Sequence, residues 1–336
     1  MSGCSKVSFN NPWHLNIIER TSHSYVPHRI IIPFIPLPKR AKWLYCMSSI
    51  DISFCGLTQL PDAIGCLHQL QSLNLGGNYF VSLLSLNELS KLVYLNLEHC
   101  VFLESLPQLP FPTALNWDLG INKIGLHIFN CPKLGERECR IAFSWLKQFI
   151  QANPQCSHAI DIVIPGSEIP NWFNNQSEGN RILIDYSPIK LDINNHIIGF
   201  LCCSLFSVPP STRPINTQHR KIALMLKLQN WPDHQNLILV SDKERDLIKV
   251  KTNHIWLTYF PRKLSRYVPD FHGTMDVKFH NYHYRWVSNE VKNCGYGWLH
   301  KQDLQEFQLN NNASWKLLSS EAQLGSHALS SNYLVG

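Results

Sequence analysis

Residues 67–80 read LHQLQSLNLGGNYF, and residues 89–103 read LSKLVYLNLEHCVFL. Laid over one another, their apolar positions coincide: Leu67, Leu70, Leu73 and Leu75 fall on Leu89, Leu92, Leu95 and Leu97. Residues 44–57, LYCMSSIDISFCGL, fit the same frame with Leu44, Met47, Ile50 and Ile52. The first leucines are 23 residues apart (44 to 67) and then 22 (67 to 89). After each core comes a turn position, Cys55, Asn78 or Cys100, and then a further apolar residue, Leu57, Phe80 or Leu103.

An x-L-x-L-x segment is a short strand whose leucines share one face while the intervening residues share the other. The turn position reverses the chain and occupies backbone groups that burial would leave unpaired. An L-x-x-L-x-L-x-x-N/C-x-L pattern recurring every 20–29 residues or so is the leucine-rich-repeat pattern, a coil that stacks into a solenoid. LPQLPFPTALNW reads as a partial fourth coil through Leu109, Leu115 and Trp117. Stacked coils need caps, and three or four barely suffice. This predicts either a piece of a longer solenoid or one that leans heavily on the C-terminal half of the chain. The outward positions, Ser49, Asp51 and Ser53, then Ser72, Asn74 and Gly76, then Tyr94, Asn96 and Glu98, form a polar floor. Phe54 and His99 add rings beside it. Such a floor suits protein binding.

The texture changes after Cys131. IAFSWLKQFIQAN at 141–153 sets Ala142, Trp145, Leu146, Phe149 and Ile150 on one helical face, and Pro154 stops it. From 159 the chain alternates apolar runs with turns: IDIVI, RILIDY, HIIGFLCCSLF, KIALMLKLQ, NLILV, HIWLTYF, TMDVKFH, YRWVS and GYGWLH. Nine short strands predict a β-sandwich or jelly roll. The expected organisation is an irregular segment 1–43, repeats 44–118, a connector 119–158 with the helix 141–153, a sandwich 159–308 and a polar tail 309–336.

Between the first two expected strands stands IVIPGSEIPNWFNNQS at 162–177. Ser167 and Glu168 invite a nucleophile-and-base reading, but the G-x-S-x-G frame is missing and neighbours on an extended chain point to opposite faces. The segment reads as a corner shaped by Pro165, Gly166 and Pro170, with Glu168 in the turn. Trp172 and Phe173 then anchor in the sandwich core. The loop after it, from Asn174 and Asn175 to Gly179, and the loop 209–216 are further recognition surfaces, since loops on a rigid scaffold carry binding.

Other chemistry is weaker. His280 and His283 fall on opposite strand faces, which argues against a metal site with His272. Cys202 and Cys203 lie in an apolar run and read as buried small hydrophobes. There are 11 cysteines and no C-x-x-C, which fits a reducing compartment, the cytoplasm or nucleus. MSGCSKVSFNNPW has no apolar core of a signal peptide, and IIIPFIPLP is cut by prolines. Charged residues make up 16 %, against about 25 % usually. The net charge is +6, and Arg213–Asp270 carries it, with eleven Lys/Arg against five Asp/Glu. A carbohydrate- or nucleic-acid-binding sandwich using Tyr282, Tyr284, Arg285 and Trp286 is the alternative reading.

The repeats, then ESLPQLP, FNCPKL at 129–134, PGSEIPNWFNNQS, IIGFLCCSLF, HIWLTYFPR and VKNCGYGWLHKQDL, occur in one order. This order, over 44–308, resembles the C-terminal part of plant TIR-type nucleotide-binding leucine-rich-repeat resistance receptors, of the tobacco mosaic virus resistance N-like group. The resemblance implies a jelly-roll/Ig-like domain after the repeats and contact with pathogen effectors or other receptor domains. No G-x-x-x-x-G-K-[ST] occurs and the segment before the repeats is too short for a TIR domain, so neither their NADase nor their ATPase is expected. The expectation is a non-enzymatic protein-recognition module without cofactor or metal, off the membrane.

Overall fold

The computed structural model describes residues 5–11, 14–21, 24–30, 48–113, 123–208, 221–228, 235–240, 250, 252–263, 272–281, 286–287 and 290–305. Loop 209–216, Leu115, Trp117, Tyr282, Tyr284, Arg285 and the tail lie outside them.

The described residues are mostly β, in two sheets. Short strands β4 (Ser49–Asp51), β5 (Ser72–Asn74), β6 (Tyr94–Asn96) and β7 (Gly125–His127) stack in parallel, one residue above another. β8 (Ile160–Pro165) continues the same parallel ladder. One register runs Ile50, Leu73, Leu95, Leu126, Ile162, and these side chains form the core inside the coils. Successive members are 23, 22, 31 and 36 residues apart. The third step is longer in sequence than the first two, and the fourth holds a helix.

The fourth rung therefore differs from the expectation. It is not LPQLPFPTALNW but IGLHIFNCPKL at 124–134, where Cys131 takes the turn position and Leu134 the following apolar one. Before β4 lie β1 (Ser5–Asn11), β2 (His14–Thr21) and β3 (Ser24–Ile30), an antiparallel meander whose β1 pairs parallel with β4. That corrects the irregular segment expected at 1–43.

Helix α1 (Glu136–Ala152) returns the chain from β7 to β8. It starts earlier than the apolar periodicity, because its first turn is polar. There the Gly135 N–H donates to the Glu138 carboxylate at 3.1 Å, a side chain satisfying the backbone at the helix entry. Ala142, Phe143, Trp145, Leu146, Phe149 and Ile150 pack against the ladder, and Asn153 ends the helix with its side chain on the Phe149 carbonyl.

Beyond β8 the large sheet turns antiparallel, in the order β8, β14 (His254–Pro261), β11 (Ile197–Phe206), β17 (Val291–His300) and β9 (Asn175–Glu178). A second sheet holds β10 (Arg181–Asp185), β15 (His272–Asn281), β12 (Lys221–Leu228) and β13 (Gln235–Val240), with β16 (Trp286–Val287) on β15. All nine expected strands are present. The tenth, β9, has the sequence NQSE, which shows no apolar alternation because the strand lies at the sheet edge.

IIGFLCCSLF is continuous because β11 is buried on both faces. Leu201, Cys203 and Leu205 face the α1 core, while Phe200, Cys202 and Phe206 face the second sheet. β14 divides the same way: Ile255, Leu257 and Tyr259 on one side, Trp256 and Phe260 on the other. The result is three layers, α1, the large sheet and the second sheet, with one core running from Ile50 to Leu299.

Candidate functional site

The outward row of the ladder runs Asp51, Asn74, Asn96, His127, Val163. Its exposure falls along that order. Asp51 and Asn74 are half-buried, Asn96 is 8 % exposed, His127 5 % and Val163 0 %. The gradient follows the approach to the second sheet, whose core includes Val163 and Phe129.

Each Asx in the row uses its side chain on the backbone two residues on. Asp51 accepts from the Ser53 N–H (3.0 Å) and hydroxyl (2.7 Å), Asn74 from the Gly76 N–H (3.1 Å) and Asn96 from the Glu98 N–H (2.7 Å). These local bonds are why Asn and Asp suit strand ends that must bend. At the third rung the polar groups close on themselves. Asn96 Nδ2 donates to the Glu98 carboxylate at 3.2 Å, His127 Nδ1 lies 3.5 Å from the other Glu98 oxygen, and the Tyr94 hydroxyl lies 3.4 Å from the same nitrogen. Burial, with Glu98, Asp161 and Asp51 nearby, pushes the Tyr94 phenol up.

This corrects the open floor expected from sequence. Tyr94, Asn96, Glu98 and His99 are buried: the first three are engaged with one another and with His127, and His99 with Asn130 and Phe129. Asp51, Phe54, Ser72 and Asn74 remain half-exposed on the first two rungs, with Ser49 and Ser53 beside them. The physical reason is the shared sheet: the strand after the fourth rung is roofed, which an isolated solenoid would not be.

Phe54 and His99 belong to a separate edge. Phe54, Gly77, His99 and Asn130 occupy the same place in successive coils and all have positive φ, between 54° and 68°. Gly77 is needed there twice over, since a Cβ would also meet the Phe54 ring at 2.2 Å. Phe54 crosses above it to within 6.2 Å of the His99 ring, and His99 meets Phe129 edge-on at 5.4 Å. Asn130 Nδ2 lies 2.9 Å from His99 Nδ1, and the Asn130 N–H donates to His254 Nε2 at 3.0 Å. Burial depresses the His254 pKa to about 3.

At the corner, Pro165 ends β8 and the Gly166 N–H donates to the Asn253 carbonyl at 3.1 Å. Ser167 and Glu168 are exposed on the bend. The Phe173 N–H donates to the Pro170 carbonyl at 3.0 Å. Trp172 and Phe173 stack at 4.1 Å, and Trp172 meets Phe143 of α1 edge-on at 6.0 Å. They anchor in the α1 core and not between the two sheets, as the sequence reading expected. Asn174 and Asn175 are exposed, at the start of β9.

Two exposed features escaped the sequence reading. Tyr79 and Phe102 meet edge-on at 6.0 Å on neighbouring coils, 52 % and 45 % exposed, with Lys133 Nζ 6.0 Å from the Phe102 ring centre. Leu191 and Ile193 project from the loop before β11. Both sat beside repeat or strand leucines, which masked them. Among the described residues no group of three or more His, Cys, Asp or Glu could hold a metal ion. No helix among them is long and apolar enough to cross a membrane.

Residues 164–305 match the C-JID domain. Over 178 residues, 44 % of this chain, the sequence is 31 % identical to the disease resistance-like protein DSC1 of Arabidopsis thaliana. The chain spans 15 % of that relative's length.

Proposed function

We propose that this chain, which the C-JID match and the disease resistance-like relative mark as a C-terminal part of a TIR-type resistance protein, is a non-enzymatic module that recognises proteins in plant immunity. In this reading the parallel ladder is a short leucine-rich-repeat solenoid (44–118, with a further coil at 124–134). The second half is a jelly-roll/Ig-like sandwich closing it, and the protein works in the cytoplasm or nucleus. The partner is a pathogen effector or another receptor domain.

The carrying observation is that the half-exposed floor, Asp51, Ser72 and Asn74, and the exposed Asn175 belong to one continuous sheet, with the exposed Asn174 just before it. Recognition surfaces on one rigid scaffold bind without ordering cost. The test is surface plasmon resonance of the full chain against purified effector proteins from plant pathogens. A binder is expected to weaken about tenfold or more on Asn74→Arg or Ser72→Arg. Loss on Asn174→Arg alone would move recognition to the corner loop. Binders indifferent to all three variants would overturn the reading.

A further inference from the structure

β9 (Asn175–Glu178) ends the large sheet, and among the described residues no strand lies on its outer edge. It pairs with β17 through Asn175–Tyr296, Gln176–Gly295, Ser177–Cys294 and Glu178–Asn293. One step further the Gly179 N–H donates to the Lys292 carbonyl at 2.7 Å, which fixes the phase of the ladder. Bonded and unbonded pairs alternate between antiparallel strands. Asn175 and Ser177 therefore bond β17, and Gln176 and Glu178 turn their backbone N–H and C=O groups outward. Both residues are exposed, and among the described residues no acceptor meets either N–H. The Ser177 hydroxyl reaches the Glu178 carbonyl at 3.3 Å, which leaves that oxygen its second lone pair.

Exposed edges are usually guarded, because they template pairing with another chain. The neighbouring edge is closed by side chains. There β10, which leads into α2 (Ser187–Leu191), gives its Asp185 N–H to the Tyr296 hydroxyl at 3.0 Å, and the Asp185 carbonyl accepts from the Trp298 indole N–H at 3.2 Å. At the far end of the large sheet β3 carries Pro27. β9 has no proline, no lysine and no bulge against β17.

An extended backbone is what answers such an edge, and this edge is complementary to itself. When two copies lie antiparallel about a two-fold axis at Ser177, Gln176 of each stands opposite Glu178 of the other. Each of these two pairs then exchanges both of its backbone hydrogen bonds. Glu178 meets an uncharged glutamine and not a second carboxylate, and the small Ser177 meets its own copy where the chains come closest. We propose that this protein pairs with a second copy of itself through β9, joining two large sheets across an isologous contact. Four residues make a short edge, so the pairing depends on concentration. It uses none of the ladder floor.

The test is analytical ultracentrifugation of the full chain over a concentration series, with amide hydrogen exchange on the same samples. The mass is expected to move toward twice that of the chain as concentration rises, and exchange at Gln176 and Glu178 to slow with it. Glu178→Pro removes an outward N–H from each copy and no bond to β17, and should weaken pairing about tenfold or more. Ser177→Asp sets two carboxylates face to face at the axis and should also weaken it, with salt restoring the pairing. Unchanged circular dichroism would show the fold of either variant intact. A chain that stays monomeric throughout, a dimer in which both amides exchange at the monomer's rate, or variants that pair as the wild type does would overturn the proposal.

Discussion

Asn78 shows how much one side chain can hold in a coil. It is fully buried and makes four bonds to backbone. Its carbonyl accepts from the Cys55 and Leu57 N–H groups at 3.1 and 3.0 Å, and its amide donates to the Ile52 and Leu75 carbonyls at 2.9 and 2.7 Å. Cys100, in the same place one coil on, has only weak thiol contacts, such as that to the Leu75 carbonyl at 3.5 Å, and burial pushes its thiol up to about 12. Asn78→Ala is therefore expected to cost about 3 kcal/mol or more by urea unfolding, against about 1 kcal/mol for Cys100→Ala. His254 gives a pH dependence. Its pKa is depressed to about 3 in the fold, below the unfolded value of about 6.5. The stability it contributes is thus complete above about pH 6.5 and drains away as pH falls toward 3. Between pH 7 and 5 the loss should be about 2 kcal/mol, and His254→Gln should flatten that slope in urea titrations at the two pH values.

At the scale of elements, α1 joins the halves. Its Phe149 is fully buried, Lys147 Nζ donates to the Asp303 carbonyl, and Gln151 Nε2 donates to the Leu304 carbonyl at 2.6 Å, tying it to the short helix α3 (Lys301–Gln305) after β17. Phe149→Ala should cost about 3–5 kcal/mol in urea unfolding, since the cavity opens under both the ladder and β8. Elements with a strong period were legible in sequence: the first three rungs, the apolar face of α1 and nine of the strands. What escaped had a competing cause. The rung at 124–134 was hidden because an insertion breaks the 22–23-residue spacing, although Cys131 and Leu134 keep the pattern. β9 was hidden because an edge strand needs no apolar face. Of the expected binding residues, Asp51, Ser72, Asn74, Asn174 and Asn175 stand where a partner could reach them. Tyr94, Asn96, Glu98 and His99 do not, because a roof contributed from far along the chain cannot be read from their own repeat.

For the whole molecule, one core and one sheet run through both halves, so they should unfold together. A single coincident urea transition is expected from tryptophan fluorescence and from far-ultraviolet circular dichroism, and a chain ending at residue 158 should fail to fold, lacking the closing rung Ile160–Pro165. Two separated transitions would show the halves to be independent. β8 is parallel to β7 on one side and antiparallel to β14 on the other. A strand bonded along both edges cannot serve as a hinge. The half-exposed floor and the corner loop therefore keep a fixed separation, as two studs set in one plate do, and occupation of one leaves the other where it was.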